Sequence, residues 1–179
     1  RSLVDYADAH SRSLSRAILT PHHGEAARLL TQLGSPRSRA DIDADPAASA
    51  KELALLTGAV ILLKSATTVC SYLHHDQGSR TQEILSIPQE TPWAGVAGSG
   101  DVLAGAVAGI AAGFQARAER RQGNPSISEA ECATLASLGA WVHAQAALRA
   151  SMGLEGKARP IQAIHIARAL PEIIGELCS

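Results

Sequence analysis

Residues 47–57, then Gly58, then Ala59-Val60-Ile61-Leu62-Leu63-Lys64 decide the fold. The first part is made of good helix formers and places Leu53 and Leu56 on one face, which predicts a helix. Gly58 ends it. The continuous apolar run that follows predicts a strand buried on both sides. A helix feeding through glycine into such a strand is the α-to-β step of an α/β sheet.

Upstream, Ala17-Ile18-Leu19 is a second short apolar run that stops at Thr20-Pro21. Residues 25–30 are helix-prone and stop near Gly34. Residues 35–46 carry Pro36, Arg37, Arg39 and three aspartates and read as a loop. Residues 3–6 predict one more short strand. Downstream, residues 67–73 and 80–87 read as a hairpin around the turn signal Asp76-Gln77-Gly78. A loop over 88–93 leads to a glycine-rich stretch, 95–100, and then to a strongly apolar helix over 101–113. Residues 117–125 are charged and read as solvated. Ser128-Glu129-Ala130-Glu131 fits a capping box that opens a long helix to about Ser151, stopped by Gly153. The last helix is expected within 160–177.

The 179 residues suit one domain, 1–179, around a single core. Hydrophobic residues are 46% but aromatics only 3%, so Ala, Leu, Ile and Val must build that core. The formal net charge is −1, without a dense Lys/Arg cluster, which argues against nucleic acid as a partner. No apolar run reaches the roughly 18 residues of a membrane span. Cys70, Cys132 and Cys178 are odd in number and lack CxxC spacing, which points away from zinc and toward a reducing, cytoplasmic setting. The opening Arg1-Ser2-Leu3-Val4 lacks a signal-peptide pattern and reads like the middle of a strand, so a fragment is expected.

Three stretches carry chemistry. In Gly98-Ser99-Gly100-Asp101, glycines before a helix bring backbone N–H groups onto one point, where the helix dipole adds partial positive charge. That suits a phosphoryl group, and a carboxylate beside it can take a proton from an attacking hydroxyl. The plainer alternative is a tight turn with Asp101 near a helix cap. Lys64 ends the buried strand, followed by Ser65, Ala66, Thr67 and Thr68. Strand ends of open α/β sheets hold ligands, so Lys64 can meet a phosphate and the threonines can donate hydrogen bonds. A lysine snorkelling from a strand end is the alternative. In Thr20-Pro21-His22-His23-Gly24-Glu25, His22 would project over the ligand edge and hydrogen-bond a polar substrate, while Glu25 also suits a helix dipole. No metal site is expected from His22-His23 or from His74-His75-Asp76, because consecutive residues rarely converge on one ion. His143 reads as a satisfied core or interface histidine.

These motifs occur together in one order. Thr20-Pro21-His22-His23-Gly24-Glu25 resembles the Thr-Pro-His-Pro-Gly-Glu of the ADP/ATP-dependent NAD(P)H-hydrate dehydratases. Leu63-Lys64-Ser65-Ala66-Thr67-Thr68 resembles their Leu-Lys-Gly-x-x-Thr, and residues 91–105 resemble the block that ends Gly-Ser-Gly-Asp-Val-Leu-Ser/Ala-Gly. Ala169-Leu170-Pro171 is similar to a run in their final helix. The likeness spans about residues 18–175. Ser65 stands where the family has glycine, His23 where it has proline, and Val96 where it has threonine. Asp8-Ala9-His10 is only loosely similar to a strand-end motif.

The resemblance implies a ribokinase-like three-layer sandwich, with a mostly parallel sheet flanked by helices and an N-terminal truncation in this chain. It implies dehydration of the S epimers of hydrated NADH and NADPH, with ADP or ATP as co-substrate and Mg²⁺ as cofactor. His22, Glu25 and Asp101 would contact the hydrated cofactor, with Asp101 as the catalytic base. Lys64, Ser65, Ala66, Thr67, Thr68, Gly98, Ser99 and Gly100 would contact the adenine nucleotide. Homo-oligomers, tetramers among them, are expected. A ribokinase-like kinase of a vitamin precursor and a non-catalytic nucleotide-binding remnant share parts of this pattern.

Overall fold

The computed structural model describes residues 13–76, 79–123, 127–153 and 157–178. The strand expected over 3–6, the motif Asp8-Ala9-His10 and the turn residues Gln77-Gly78 lie outside them. Two units emerge, Arg1–Ser86 with Ser126–Ala136, and Ile87–Pro125 with Ser137–Ser179.

In the first unit, β1 (Ile18–Leu19) leads to α1 (His23–Gln32), α2 (Arg39–Ala44) and α3 (Pro46–Thr57). The sheet continues with β2 (Val60–Leu63), β3 (Thr67–Asp76) and β4 (Ser79–Pro88), in the order β1-β2-β3-β4. The α-to-β step stands as read. Gly58 takes the left-handed conformation at φ 69° and gives its N–H to Ala54, closing α3 before β2 begins. The expected loop over 35–46 instead contains α2. Ser38 and Asp41 form a capping box there: Ser38 N–H donates to Asp41 Oδ2 at 2.9 Å, and Asp41 N–H donates to Ser38 Oγ at 3.1 Å. Two of the three aspartates that looked like loop residues, Asp41 and Asp45, act at helix starts.

Asp45 caps α3, its Oδ1 accepting from Ala48 N–H at 2.9 Å, and Pro46 follows at the first helical position. The Asp45→Ala variant is expected to lose about 1 kcal/mol of folding stability. Urea unfolding checks this, and an unchanged midpoint would show the cap to be idle.

The class is α/β, and the sheet is mixed rather than mostly parallel among the described strands. β1 pairs parallel with β2, while β2 pairs antiparallel with β3. The loop Lys64-Ser65-Ala66 is far too short for a parallel crossover, so the chain must turn back. Ile61, Leu63 and Val69 pack with Ala26, Leu30, Leu53 and Ala54 of α1 and α3 in one core. Side chains alternate along a strand, so Leu62 and its cross-strand partner Cys70 take the other face, also fully buried. There the Cys70 thiol meets the carbonyl of Ala133. That carbonyl belongs to the opening turns of α5 (Glu129–Ser151), so helices cover both faces of this sheet.

The second unit holds a 3₁₀ turn (Pro92–Ala94), α4 (Ser99–Gln122), the later part of α5 and α6 (Ala163–Cys178). The capping box expected at Ser128 is present: Ser128 N–H donates to Glu131 Oε2 and Glu131 N–H to Ser128 Oγ. α4 runs well past Gly113. Its charged stretch is one of good helix formers, Ala, Glu, Arg and Gln, so it extends the helix with a solvated surface. Val142, Ala146, Ala147, Ile166, Ala169 and Ile173 form the second core. Gly139 of α5 lies so close to α4 that a Cβ there would stand 2.6 Å from Val107 Cγ2. No helix among the described residues is long and apolar enough to cross a membrane.

Candidate active site

Because β1 and β2 run parallel, their C-terminal ends emerge side by side. Lys64 N–H donates to the Pro21 carbonyl at 2.9 Å, and His22 and Lys64 form a parallel bridge one step beyond the strands. This is the position at which open α/β sheets take ligands. His22 caps α1: its Nδ1 accepts from Glu25 N–H at 3.1 Å, while its own N–H donates to Glu25 Oε2 at 2.8 Å. Glu25 also lies between two bases, with Lys64 Nζ 3.7 Å from Oε2 and His22 Nε2 3.6 Å from Oε1. Lys64 is therefore not simply reaching for solvent; its side chain is only 23% exposed and its ammonium turns toward Glu25. His23 goes elsewhere, to Asp43 of α2.

Partial burial works to raise the Glu25 carboxyl. The His22 N–H bond and the charge of Lys64 outweigh it and hold the group below the usual carboxylate range. A carboxyl lowered by folding contributes stability above its unfolded value and loses it as pH falls through the folded one. Glu25→Gln is thus expected to melt lower than wild type at neutral pH, with the gap closing in acid below the carboxylate range. Melting curves across pH check this; a gap independent of pH would deny the charge a role.

After Lys64, Ser65 closes a small turn on itself: its hydroxyl donates to the Thr67 carbonyl at 2.7 Å and accepts from Thr67 N–H at 3.2 Å. Ala66 and Thr67 are exposed at the tip, whereas Thr68 is buried in the sheet.

In the second unit, Gly98 is the N-cap of α4 at φ 83°, a conformation glycine adopts without strain, and a Cβ there would lie 3.3 Å from the Ala163 Cβ. The turn is tight. Ser99 N–H donates to Val96 O, and Asp101 and Val102 N–H both donate to Gly98 O. Gly100 N–H remains without an acceptor among the described residues. Asp101 sits in the first turn with an exposed carboxylate that has no hydrogen bond or ion pair among them. Ser99 points inward: it is 7% exposed, and its Oγ lies 3.1 Å from His143 Nε2. Sequence reading placed His143 in the core but did not connect it to this turn. The partners are 44 residues apart, and no local pattern joins them.

His22, Glu25 and Lys64 to Thr68 thus belong to the first unit, and Gly98 to Asp101 with His143 to the second. Among the described residues no group of three His, Cys, Asp or Glu gathers around a metal position.

Residues 2–170 match the family model of NAD(P)H-hydrate dehydratase. The chain is 35% identical to the ADP-dependent (S)-NAD(P)H-hydrate dehydratase of Neisseria meningitidis over 144 residues, 78% of this chain and 40% of that protein. It is 42% identical over 99 residues to a bifunctional NAD(P)H-hydrate repair enzyme of Leishmania braziliensis, 55% of this chain and 16% of that one. Its fold is similar to that of the ADP/ATP-dependent NAD(P)H-hydrate dehydratase from Bacillus subtilis co-crystallised with ATP/Mg²⁺. That similarity has a TM-score of 0.60 at 22% identity and covers 89% of this chain and 47% of that one. The chain spans less than half the length of these relatives. On the match across nearly its whole length, the chain belongs to the NAD(P)H-hydrate dehydratase family.

Proposed function

We propose that this chain carries the phosphoryl-binding and acid–base portion of an enzyme that returns S-NADHX and S-NADPHX to NADH and NADPH at the expense of ADP or ATP. One observation carries the reading: α4 begins on a left-handed glycine, and its first turn holds Gly100, whose N–H has no acceptor among the described residues, and Asp101, whose exposed carboxylate has no hydrogen bond or ion pair among them. The N–H and the helix dipole favour a terminal phosphoryl group, and the carboxylate is free to accept a proton.

In this mechanism Asp101 takes the proton of the C6 hydroxyl of the hydrate. The oxygen attacks the terminal phosphorus, and AMP or ADP departs. Phosphate then leaves C6 with its bonding electrons and a proton is lost from C5, which restores the dihydropyridine double bond. Phosphate leaves far more readily than hydroxide. Gly98 shapes the turn, Gly100 N–H holds the transferred group, and Ser99 serves by fixing the turn, its hydroxyl being directed to His143. Lys64 and the exposed Thr67 suit nucleotide phosphates and hydroxyls at the strand end, with Ser65 and Ala66 forming the loop between. His22 and Glu25 suit the polar part of the hydrated cofactor. Mg²⁺ commonly binds phosphate oxygens with few protein carboxylates, so it would be held here chiefly by the phosphates of the nucleotide. When bound, the ion neutralises phosphate charge. A cytoplasmic location and homo-oligomerisation are part of the same proposal, the latter supported by the exposed Trp141 of α5, Met152 just after it and Leu177 of α6, which line one groove.

Incubation with S-NADHX and ADP or ATP, followed by recovery of NADH absorbance, tests the reading. Recovery supports it. Phosphorylation of another alcohol without recovery would favour a kinase, and nucleotide binding without turnover would favour a non-catalytic module.

A further inference from the structure

His143 is the buried titratable group that this mechanism leaves unused. It lies on α5, 3% exposed, with Nε2 3.1 Å from both the carbonyl oxygen and the hydroxyl of Ser99. A carbonyl only accepts, so Nε2 carries the hydrogen and donates. Nδ1 is then a bare acceptor, and it is buried without a partner among the described residues. A side chain placed only for packing has no need of a polar atom in that position, since an unpaired buried polar atom costs stability. Something must offset the cost, and among the described residues the polar contacts of this ring are to the first residue of α4. Ser99 immediately precedes Gly100, whose N–H has no acceptor among the described residues, and Asp101, whose exposed carboxylate has no hydrogen bond or ion pair among them.

We propose that His143 is a positioning residue for the phosphoryl-binding turn: its Nε2–H clamps Ser99 and thereby fixes the directions of the Gly100 N–H and the Asp101 carboxylate. The proposal rests on the dehydratase reading for its catalytic consequence, but not for its geometry. It follows that the ring works as a neutral donor. A second proton would place a donor on Nδ1 where no acceptor waits, and burial pushes the pKa of this imidazole down, against the smaller opposing effect of the Ser99 backbone bond. Positional error of the order of 1 Å at a reacting group costs roughly a hundredfold in rate, so a modest clamp has a measurable effect.

The test compares His143→Gln, which keeps an N–H donor at similar reach, with His143→Phe, which keeps ring bulk and loses the donor. Positioning predicts that Phe lowers kcat for S-NADHX dehydration by roughly ten- to a hundredfold, with the KM for S-NADHX little changed, and that Gln restores most of the loss. A Phe variant as active as Gln, or more so, overturns the proposal in favour of packing. Two measurements need no turnover. Nitrogen-15 NMR of the wild-type imidazole should show the hydrogen on Nε2, and its appearance on Nδ1 overturns the clamp even if the variants fail to fold. Hydrogen exchange at the Asp101 and Val102 amides, both bonded to Gly98 O, should quicken in Phe and not in Gln. If those two results hold while the wild type leaves S-NADHX untouched, the clamp stands and the dehydratase reading is what fails.

Discussion

Asp101→Asn is expected to lose about a thousandfold or more in dehydration of S-NADHX, while binding ADP within a few-fold of wild type. General-base removal typically costs 10² to 10⁴ in rate, roughly. Here the amide is nearly the same shape as the carboxylate, and Asp101 is exposed without a hydrogen bond or ion pair among the described residues, so the fold has little reason to notice. Single-turnover kinetics with saturating ADP, alongside calorimetric titration of ADP, separate the two effects. Near-normal turnover in Asp101→Asn would remove the acid–base role from this turn. Equal loss of binding and turnover would mean instead that the carboxylate helps to hold the nucleotide.

Gly139→Ala is expected to be the most damaging one-carbon addition in the second unit. The new Cβ would stand 2.6 Å from Val107 Cγ2 and 3.0 Å from the Val107 Cα, and the second of these is backbone that cannot rotate aside. Overpacking of this kind costs about 1–3 kcal/mol. In a chain of this length each kcal/mol shifts the melting point by about 2–4 °C. Gly105→Ala and Gly109→Ala on α4 are the controls. A Cβ at either meets nothing within 4 Å, and the change improves helix propensity, so both variants should melt at or above wild type. Thermal unfolding of the three variants measures what the close approach of α4 and α5 demands of Gly139, and a Gly139→Ala melting point equal to that of the controls would show that the interface yields at no cost.

That contrast shows where sequence reading reached and where it stopped. The stretch 101–113 reads as a strongly apolar helix, yet its Gly105 and Gly109 are exposed, and a glycine that permits close packing is Gly139, on a different helix. Composition reports that small residues are present, not which of them face a neighbour. The elements around Gly58 were legible because each rule was local: a helix former run, a left-handed stop, an apolar strand. The hairpin of β3 and β4 was legible for the same reason. α2 was missed although its signal was local too, since Ser38 and Asp41 have capping-box spacing; proline and charge nearby made the stretch look like a loop. Antiparallel pairing of β3 with β2 was implied by a three-residue connection, a constraint weaker in appearance than the parallel pattern suggested by resemblance.

Among the candidate residues, local motifs singled out His22, Lys64 and the Gly98–Asp101 turn, and the strand pattern placed Lys64 at the end of a buried strand. They did not reveal that Glu25 bridges His22 and Lys64, because histidine is an uncommon N-cap and its reciprocal bond to Glu25 depends on the ring's rotamer. Nor did they reveal the Ser99–His143 contact, which forms only when α5 folds back beside α4.

The cap on α1 also restricts what His22 offers a ligand. Its Nδ1 lone pair is committed to the Glu25 amide, so a ring with one hydrogen carries it on Nε2, which lies 3.6 Å from Glu25 Oε1. Such a ring is a one-way reader: it recognises an oxygen with a lone pair to give, such as a carboxamide carbonyl, and it has no vacant nitrogen with which to abstract a proton or ligate an ion. A ligand that docked against this nitrogen would therefore have to present an acceptor atom, and an analogue with an amino group in that place should bind more weakly.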